Sequence, residues 1–134
     1  MRRAITSGLV GLEHVRRDAG DLTARRRVAL LMVARGRAWT GLGEPASARR
    51  DLAEASDRLL PLLPRLSQDE ARDARQRLAT GWIDLAEVLA AAGDVDGARA
   101  TSQRAIGVAA APEIVVDQVR SRPGLASLAD ALAP

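Results

Sequence analysis

The chain contains no cysteine, which excludes a disulfide framework and any thiolate metal site. It also has no phenylalanine or tyrosine and only two tryptophans, Trp39 and Trp82, although 47% of its 134 residues are apolar. The core must therefore be built mainly from leucine, valine, isoleucine and alanine. Because alanine is the best helix former and a poor strand former, this composition predicts closely packed helices rather than a sheet.

Residues that carry catalysis are also scarce. His14 is the only histidine, and neither GxGxxG nor GxxxxGK phosphate loops occur. Carboxylates that are close in sequence, such as Asp94 with Asp96 and Asp69 with Asp73, stand at turns and helix starts, where the helix dipole favours negative charge. The sequence therefore predicts a protein that is not an enzyme and that binds neither a metal ion nor a cofactor.

Long apolar runs are absent as well. No run reaches the 18 or so residues that a membrane-spanning helix requires. The first residues, MRRAITSGLVGLEHVRR, contain an apolar run that is too short and too soon followed by charge for a signal peptide. These features predict a cytoplasmic protein with no membrane association.

The chain also contains no lysine, so all 20 of its lysine and arginine positions are arginine. Residues 1–50 hold 11 arginines against four acids, whereas residues 51–134 hold nine against 13, so the chain is dipolar. The triplet Arg25, Arg26 and Arg27 wraps more than half of a helix and forms either a solvated face or a site for an anion or acidic partner. The lack of stacking aromatics and the acidic second half argue against nucleic acid.

Two segments of the chain share one pattern. ALLMVARGRAWTGLGEPASARRDLAEA at 29–55 aligns without a gap on ATGWIDLAEVLAAAGDVDGARATSQRA at 79–105 when Gly43 is placed on Gly93. Each glycine can end a helix in the left-handed conformation, and Asp94 can cap the helix that follows. Small residues then recur at spacings that let two helices approach closely. The sequence therefore contains an internal repeat of two helices joined by a tight turn.

Both segments resemble tetratricopeptide repeats. In the first segment the matching residues are Gly36, Trp39, Gly43, Glu44, Ala48, Leu52 and Ala55. In the second they are Trp82, Leu85, Ala86, Gly93, Asp94, Ala98 and Ala105. The first segment departs from the pattern at Met32, where a bulky aromatic is usual, and at Arg35, where an apolar residue is usual. The resemblance implies an all-α, antiparallel helix-hairpin array of about six or seven helices. The predicted array is one domain over 1–134, with repeat-like segments at 29–62 and 79–112 and capping helices at 113–134.

The repeat family has a period of 34 residues, but these segments start 50 residues apart. Ser67 and Glu70 form a capping-box pattern, so the extra residues are explained by a long helix from about Gln68 to Ala92. The preceding LLPLLPRL, broken by Pro61 and Pro64, is expected to be a buried connector or, alternatively, an exposed docking patch.

Further helices are predicted at 4–18, 22–42, 45–60, 95–110 and 113–120. Gly20-Asp21 is expected to separate the first two, and the β-branched residues from Ile114 to Val119 also permit a strand. A short final helix is expected to place three leucines on one face: Leu125, Leu128 and Leu132.

The resemblance implies a groove that binds a protein or peptide partner. The positions that face this groove in the family correspond to Leu30, Val33, Arg37, Thr40, Thr80, Ile83, Glu87 and Ala90. A homodimeric scaffold or regulatory subunit is the alternative, in which the basic N-terminal half of one copy meets the acidic half of another. A homodimer is plausible because so short an array leaves apolar edges to cover. A further alternative is a small-molecule site lined by Trp39 and Trp82, both of which are otherwise ordinary core residues.

Overall fold

The computed structural model describes the backbone of residues 2–132 and the side chains of residues 20–132. This part of the chain contains helices and no strand, which confirms the predicted all-α fold. The five α helices are α1 (Arg2–Gly41), α2 (Pro45–Leu59), α3 (Gln68–Ala91), α4 (Val95–Val108) and α5 (Pro112–Ser121). Two short 3-10 helices are Leu60–Arg65 and Ala126–Ala131. In the described part, no helix combines the length and the apolar character needed to cross a membrane.

The helix α1 is longer than predicted, and the expected break at Gly20-Asp21 is wrong. Gly20 and Asp21 both lie inside the 40-residue helix. Neither residue removes a backbone donor as proline would, and a helical glycine costs only about 1 kcal/mol relative to alanine. The small cost of Gly20 and Asp21 is therefore not enough to interrupt the helix, which continues on both sides of them. His14 and the predicted apolar face of 4–18 lie outside the described side chains.

Two helical hairpins make up most of the fold, with α1 packed against α2 and α3 against α4. Their turns are built alike: Gly43 has φ +74° and Gly93 has φ +88°. The backbone N–H of Glu44 donates to the carbonyl of Trp39 at 2.9 Å, and that of Asp94 donates to the carbonyl of Leu89 at 2.9 Å. These are the hydrogen bonds of a glycine-terminated helix. The predicted tight turns are thus confirmed at both positions.

The core is centred where α2 crosses α1 and α3. Leu52 of α2 is fully buried there, against Gly36 of α1 and Gly81 of α3. A Cβ atom at Gly36 would lie 2.9 Å from Leu52 Cγ, and one at Gly81 would lie 2.8 Å from Leu52 Cδ2. An alanine at either position would therefore force the buried Leu52 side chain to move. Four predicted small residues of the repeat are also fully buried: Ala48, Ala55, Ala98 and Ala105.

The proline-broken connector forms the first 3-10 helix. Leu59, Leu62 and Leu63 are buried, which confirms a buried connector for these residues, whereas Leu60 is exposed. Proline cannot donate the backbone hydrogen bonds of a continuing α helix, so the chain tightens and turns here before α3 begins.

The C-terminal part closes the far end of the array. α5 packs against α4 and α3, and the second 3-10 helix packs on α5. The segment 112–121 is a helix, so the alternative of a strand is wrong. The three predicted leucines are all buried: Leu125, Leu128 and Leu132.

The capping box at the start of α3 is present as predicted. Ser67 Oγ accepts a hydrogen bond from the backbone N–H of Glu70 at 3.1 Å, and Glu70 Oε1 accepts one from the backbone N–H of Ser67 at 3.2 Å. We expect Ser67→Ala to lower the free energy of unfolding by about 1 kcal/mol, because an N–H at the helix start loses its acceptor. Urea denaturation measures this loss. Ser67→Asp, which keeps an acceptor, is the matched control, and an equal loss in both variants would contradict the capping role.

Candidate interaction face between α1 and α3

Two stripes of side chains run along α1 and α3, and contacts between the two helices join them. The α1 stripe consists of Arg26, Leu30, Val33, Arg37 and Thr40. The α3 stripe consists of Glu70, Asp73, Arg77, Thr80, Asp84 and Glu87. Spacings that alternate between three and four residues keep each set on one side of its helix. We call these two stripes together the α1–α3 face.

Ion pairs join the two stripes at both ends. Arg26 pairs with Glu70 near the start of α3, and Arg37 Nε lies 2.8 Å from Asp84 Oδ2 further along. Because residue numbers rise together on both helices, α1 and α3 run parallel. This is the arrangement that two successive helical hairpins produce when their first helices lie side by side.

A cleft of about 370 Å³ opens between these pairs. Half-buried Leu30 contributes its apolar surface, and an ion pair between Asp73 and Arg77, with Nε to Oδ2 at 2.9 Å, lies on one wall. The cleft is lined by Arg26, Leu30, Asp69, Glu70, Asp73 and Arg77. It can receive a small apolar side chain whose neighbours are polar or charged.

The other end of the face carries a network of four charges. Arg122, just beyond α5, places Nη1 2.7 Å from Asp84 Oδ1 and 3.8 Å from Glu87 Oε2. Since Arg37 contacts the other oxygen of Asp84, both carboxylate oxygens have a guanidinium partner. The pair of Arg37 with Asp84 is exposed and contributes only about 0–1 kcal/mol to stability, whereas the pair of Arg122 with Asp84 is partly buried. A partner's charged group can therefore replace Arg37 at little cost.

The predicted groove residues divide into two groups by exposure. Val33, Thr40 and Ile83 are buried, and the Thr40 hydroxyl donates to the carbonyl of Gly36 at 3.0 Å. The other five retain access to solvent: Leu30, Arg37, Thr80, Glu87 and Ala90. The two charged positions, Arg37 and Glu87, are brought together through Asp84 and Arg122.

Sequence reasoning missed two members of this network. Asp84 lies four residues after Thr80 and three before Glu87, so helical spacing alone could have placed it on the α3 stripe. Arg122 had no such signal. Its position depends on how the chain leaves α5 and turns at Pro123, where Gly124 lies against Glu87.

Arg35, where the repeat pattern calls for an apolar residue, forms an ion pair away from this face. Its Nε lies 2.6 Å from Asp51 Oδ2 and its Nη2 lies 2.8 Å from Asp51 Oδ1. Asp51 is buried, with only 2% of its surface exposed to solvent. Hydrogen bonding from Arg35, with a further bond from Trp39, holds the pKa of Asp51 below its usual value, although burial acts in the opposite direction. The pair therefore fastens α1 to α2.

The two tryptophans have different surroundings. Trp39 is half-buried beside Asp51, whereas Trp82 is buried and has the guanidinium of Arg104 over its ring, 4.3 Å from the centroid. A guanidinium at that distance is attracted to the ring face. Among residues 20–132, no group of three or more acidic or histidine side chains is placed to hold a metal ion.

Comparison with known proteins identifies no relative of the chain. No protein-family model, no curated protein and no solved structure matches it. A function must therefore be argued from the geometry of the α1–α3 face.

Proposed function

We propose that the chain is a non-enzymatic interaction module of the tetratricopeptide kind, which binds a segment of a protein partner along the α1–α3 face. The observation that carries this proposal is the pairing of α1 and α3. Two hairpins with the same glycine turn, 50 residues apart in sequence, lie so that their first helices run parallel. This exposes side chains from two helices along one continuous face.

The chemistry of the face favours a partner segment with mixed character. Half-buried Leu30 offers apolar contact, and Thr80 offers a hydroxyl. The charges of Arg37, Asp84, Glu87 and Arg122 neutralise one another within the network. A partner that carries charges of both signs can replace these contacts one for one, which gives specificity rather than raw affinity.

A peptide selected from a displayed library against the purified chain provides the probe for this proposal. We expect Arg37→Glu to weaken its binding at least about tenfold, because the new carboxylate repels Asp84 and the charge network loses one of its two cations. Fluorescence anisotropy measures the affinity, and circular dichroism verifies that helical content is unchanged.

Arg99→Glu is the matched control, since Arg99 is exposed on α4 and lies outside the α1–α3 face. This variant should bind the peptide as the wild type does. Unchanged affinity in Arg37→Glu would refute the assignment of the face. Failure of the wild-type chain to select any peptide would refute the interaction module itself.

A further inference from the structure

A pocket of about 320 Å³ lies at the junction of the two hairpins. Its walls come from α2, α3, the turn before α4 and α4 itself. The α4 wall consists of Gly97, Ala100, Thr101 and Arg104, whose spacings of three, one and three residues keep them on one face of the helix. Trp82 of α3 lines the pocket as well. We call this the hairpin-junction pocket.

The pocket presents hydrogen-bond donors that have no acceptor. Arg49 of α2 and Arg104 of α4 are exposed, and within residues 20–132 neither guanidinium is paired with a carboxylate. Thr101 is only 5% exposed, yet its hydroxyl has no hydrogen-bond partner in the same part of the chain. The hydroxyl of Thr40, by contrast, donates to the carbonyl of Gly36. Because a buried polar group without a partner costs free energy, one that lines a pocket points to a group that binds there.

The indole of Trp82 adds a further unmatched donor. Trp82 is 1% exposed, and its Nε1 is buried without an acceptor among residues 20–132. The guanidinium of Arg104 lies over the same ring. This contact restrains Arg104 without using an acceptor, so its N–H groups remain available to a ligand.

The balance of charge in the pocket is positive. Arg49 and Arg104 carry two positive charges, and Asp94 carries the one negative charge. Asp94 Oδ1 already accepts a hydrogen bond from the backbone N–H of Gly97 at 2.9 Å, which caps the start of α4. Donors and positive charge together suit a ligand that carries an oxyanion.

This chemistry does not follow from the repeat. The two repeat-like segments are offset by 50 residues, so Thr101 and Arg104 correspond to Asp51 and Glu54 in the first segment. Both of those residues are acids, and Asp51 is paired with Arg35. The positions that carry donors in the second hairpin carry acceptors in the first. The pocket is therefore a property of the second hairpin alone.

We propose that the hairpin-junction pocket binds a small molecule through an oxyanion, either a carboxylate or a phosphate group. Guanidinium groups hold both kinds of group through paired hydrogen bonds, and Thr101 supplies one more donor. A volume of about 320 Å³ is enough for a small organic ligand. An oxyanion held by Arg49 and Arg104 would join α2 of the first hairpin to α4 of the second. The pocket shares no residue with the α1–α3 face, so this inference does not rest on the proposed function.

Isothermal titration calorimetry of the full chain at low ionic strength tests the site, with inorganic phosphate and succinate as separate probes. We expect saturable binding of at least one probe at one site per chain. Arg49→Gln and Arg104→Gln should each raise its dissociation constant at least about tenfold, because each removes a charged donor. The probe that binds more tightly identifies the preferred group as phosphate or carboxylate. Arg99→Gln is the matched control, since Arg99 is exposed on α4 but does not line the pocket.

Thr101→Val separates binding from folding. Valine keeps the shape of threonine and removes a hydroxyl that has no partner, so resistance to urea should be unchanged or higher. Affinity for the probe should nevertheless fall about three- to tenfold, because the oxyanion loses a donor.

Three results would overturn the proposal. The first is that neither probe binds with a dissociation constant below about 10 mM. The second is that Arg99→Gln weakens binding as much as Arg104→Gln does, which would mean attraction to overall charge. The third is that Arg49→Gln, Arg104→Gln and Thr101→Val all bind the probe as tightly as the wild type.

Discussion

Replacement of Leu52 by alanine is expected to lower the free energy of unfolding by about 2–5 kcal/mol, as for other fully buried leucines. Leu52 is buried where α2 crosses α1 and α3, and the hole left by its side chain lies between three helices. Urea denaturation monitored by circular dichroism measures the loss. Leu60→Ala is the matched control, because Leu60 is exposed in the adjoining 3-10 helix and should contribute far less.

The same site predicts a coupling between Leu52 and Gly81. Gly81→Ala alone should destabilise the fold, because its Cβ would lie 2.8 Å from Leu52 Cδ2, inside van der Waals contact. In the Leu52→Ala background this clash disappears, and the next nearest atoms, Val33 Cγ1 and Arg37 Cγ, lie at 3.6 and 3.7 Å. The double variant should therefore be more stable than the sum of the single losses predicts.

Gly107→Ala provides the control for this cycle. Gly107 lies inside α4 with no atom near its added Cβ, so alanine should raise stability by up to about 1 kcal/mol in either background. If the losses of stability in Gly81→Ala and Leu52→Ala were simply additive, a clash between Leu52 and a Cβ atom at position 81 would not be what destabilises Gly81→Ala.

The helices could be predicted from local chemistry, because their ends depend on neighbours in sequence. Gly43 and Gly93 stop two helices in the left-handed conformation, and Ser67 with Glu70 starts a third. The break predicted at Gly20 was wrong, because the end of a helix there does not depend on neighbours in sequence alone. A glycine ends a helix only where the chain must turn, and nothing in the local sequence says whether it must.

The contacts between helices were harder to predict. Leu52 aligns with Ser102 in the second repeat-like segment, so the repeat gave no sign that Leu52 is central to the core. Arg35 broke an apolar pattern, and its partner Asp51 lies sixteen residues away on another helix. On the α1–α3 face, Arg37 and Glu87 followed from the family resemblance, but Arg122 depends on the path of the chain after α5.

The ion pair between Arg35 and Asp51 should make stability depend on pH. The pKa of Asp51 is lowered in the folded state, so the pair stabilises the fold above the ordinary carboxyl pKa. This contribution is lost as pH falls and the carboxylate takes up a proton. In Arg35→Gln the buried carboxylate loses its cation, and burial then acts to raise its pKa.

We therefore expect Arg35→Gln to be less stable than the wild type at about pH 7, with a difference that shrinks as pH falls towards about 3. The loss at neutral pH should be roughly three times or more that of Arg58→Gln, since Arg58 pairs with the exposed Glu54 within α2. Urea midpoints across this pH range measure both. A difference that stays constant with pH would mean that Asp51 gains no stability from its charge, and that α1 and α2 are joined by packing alone.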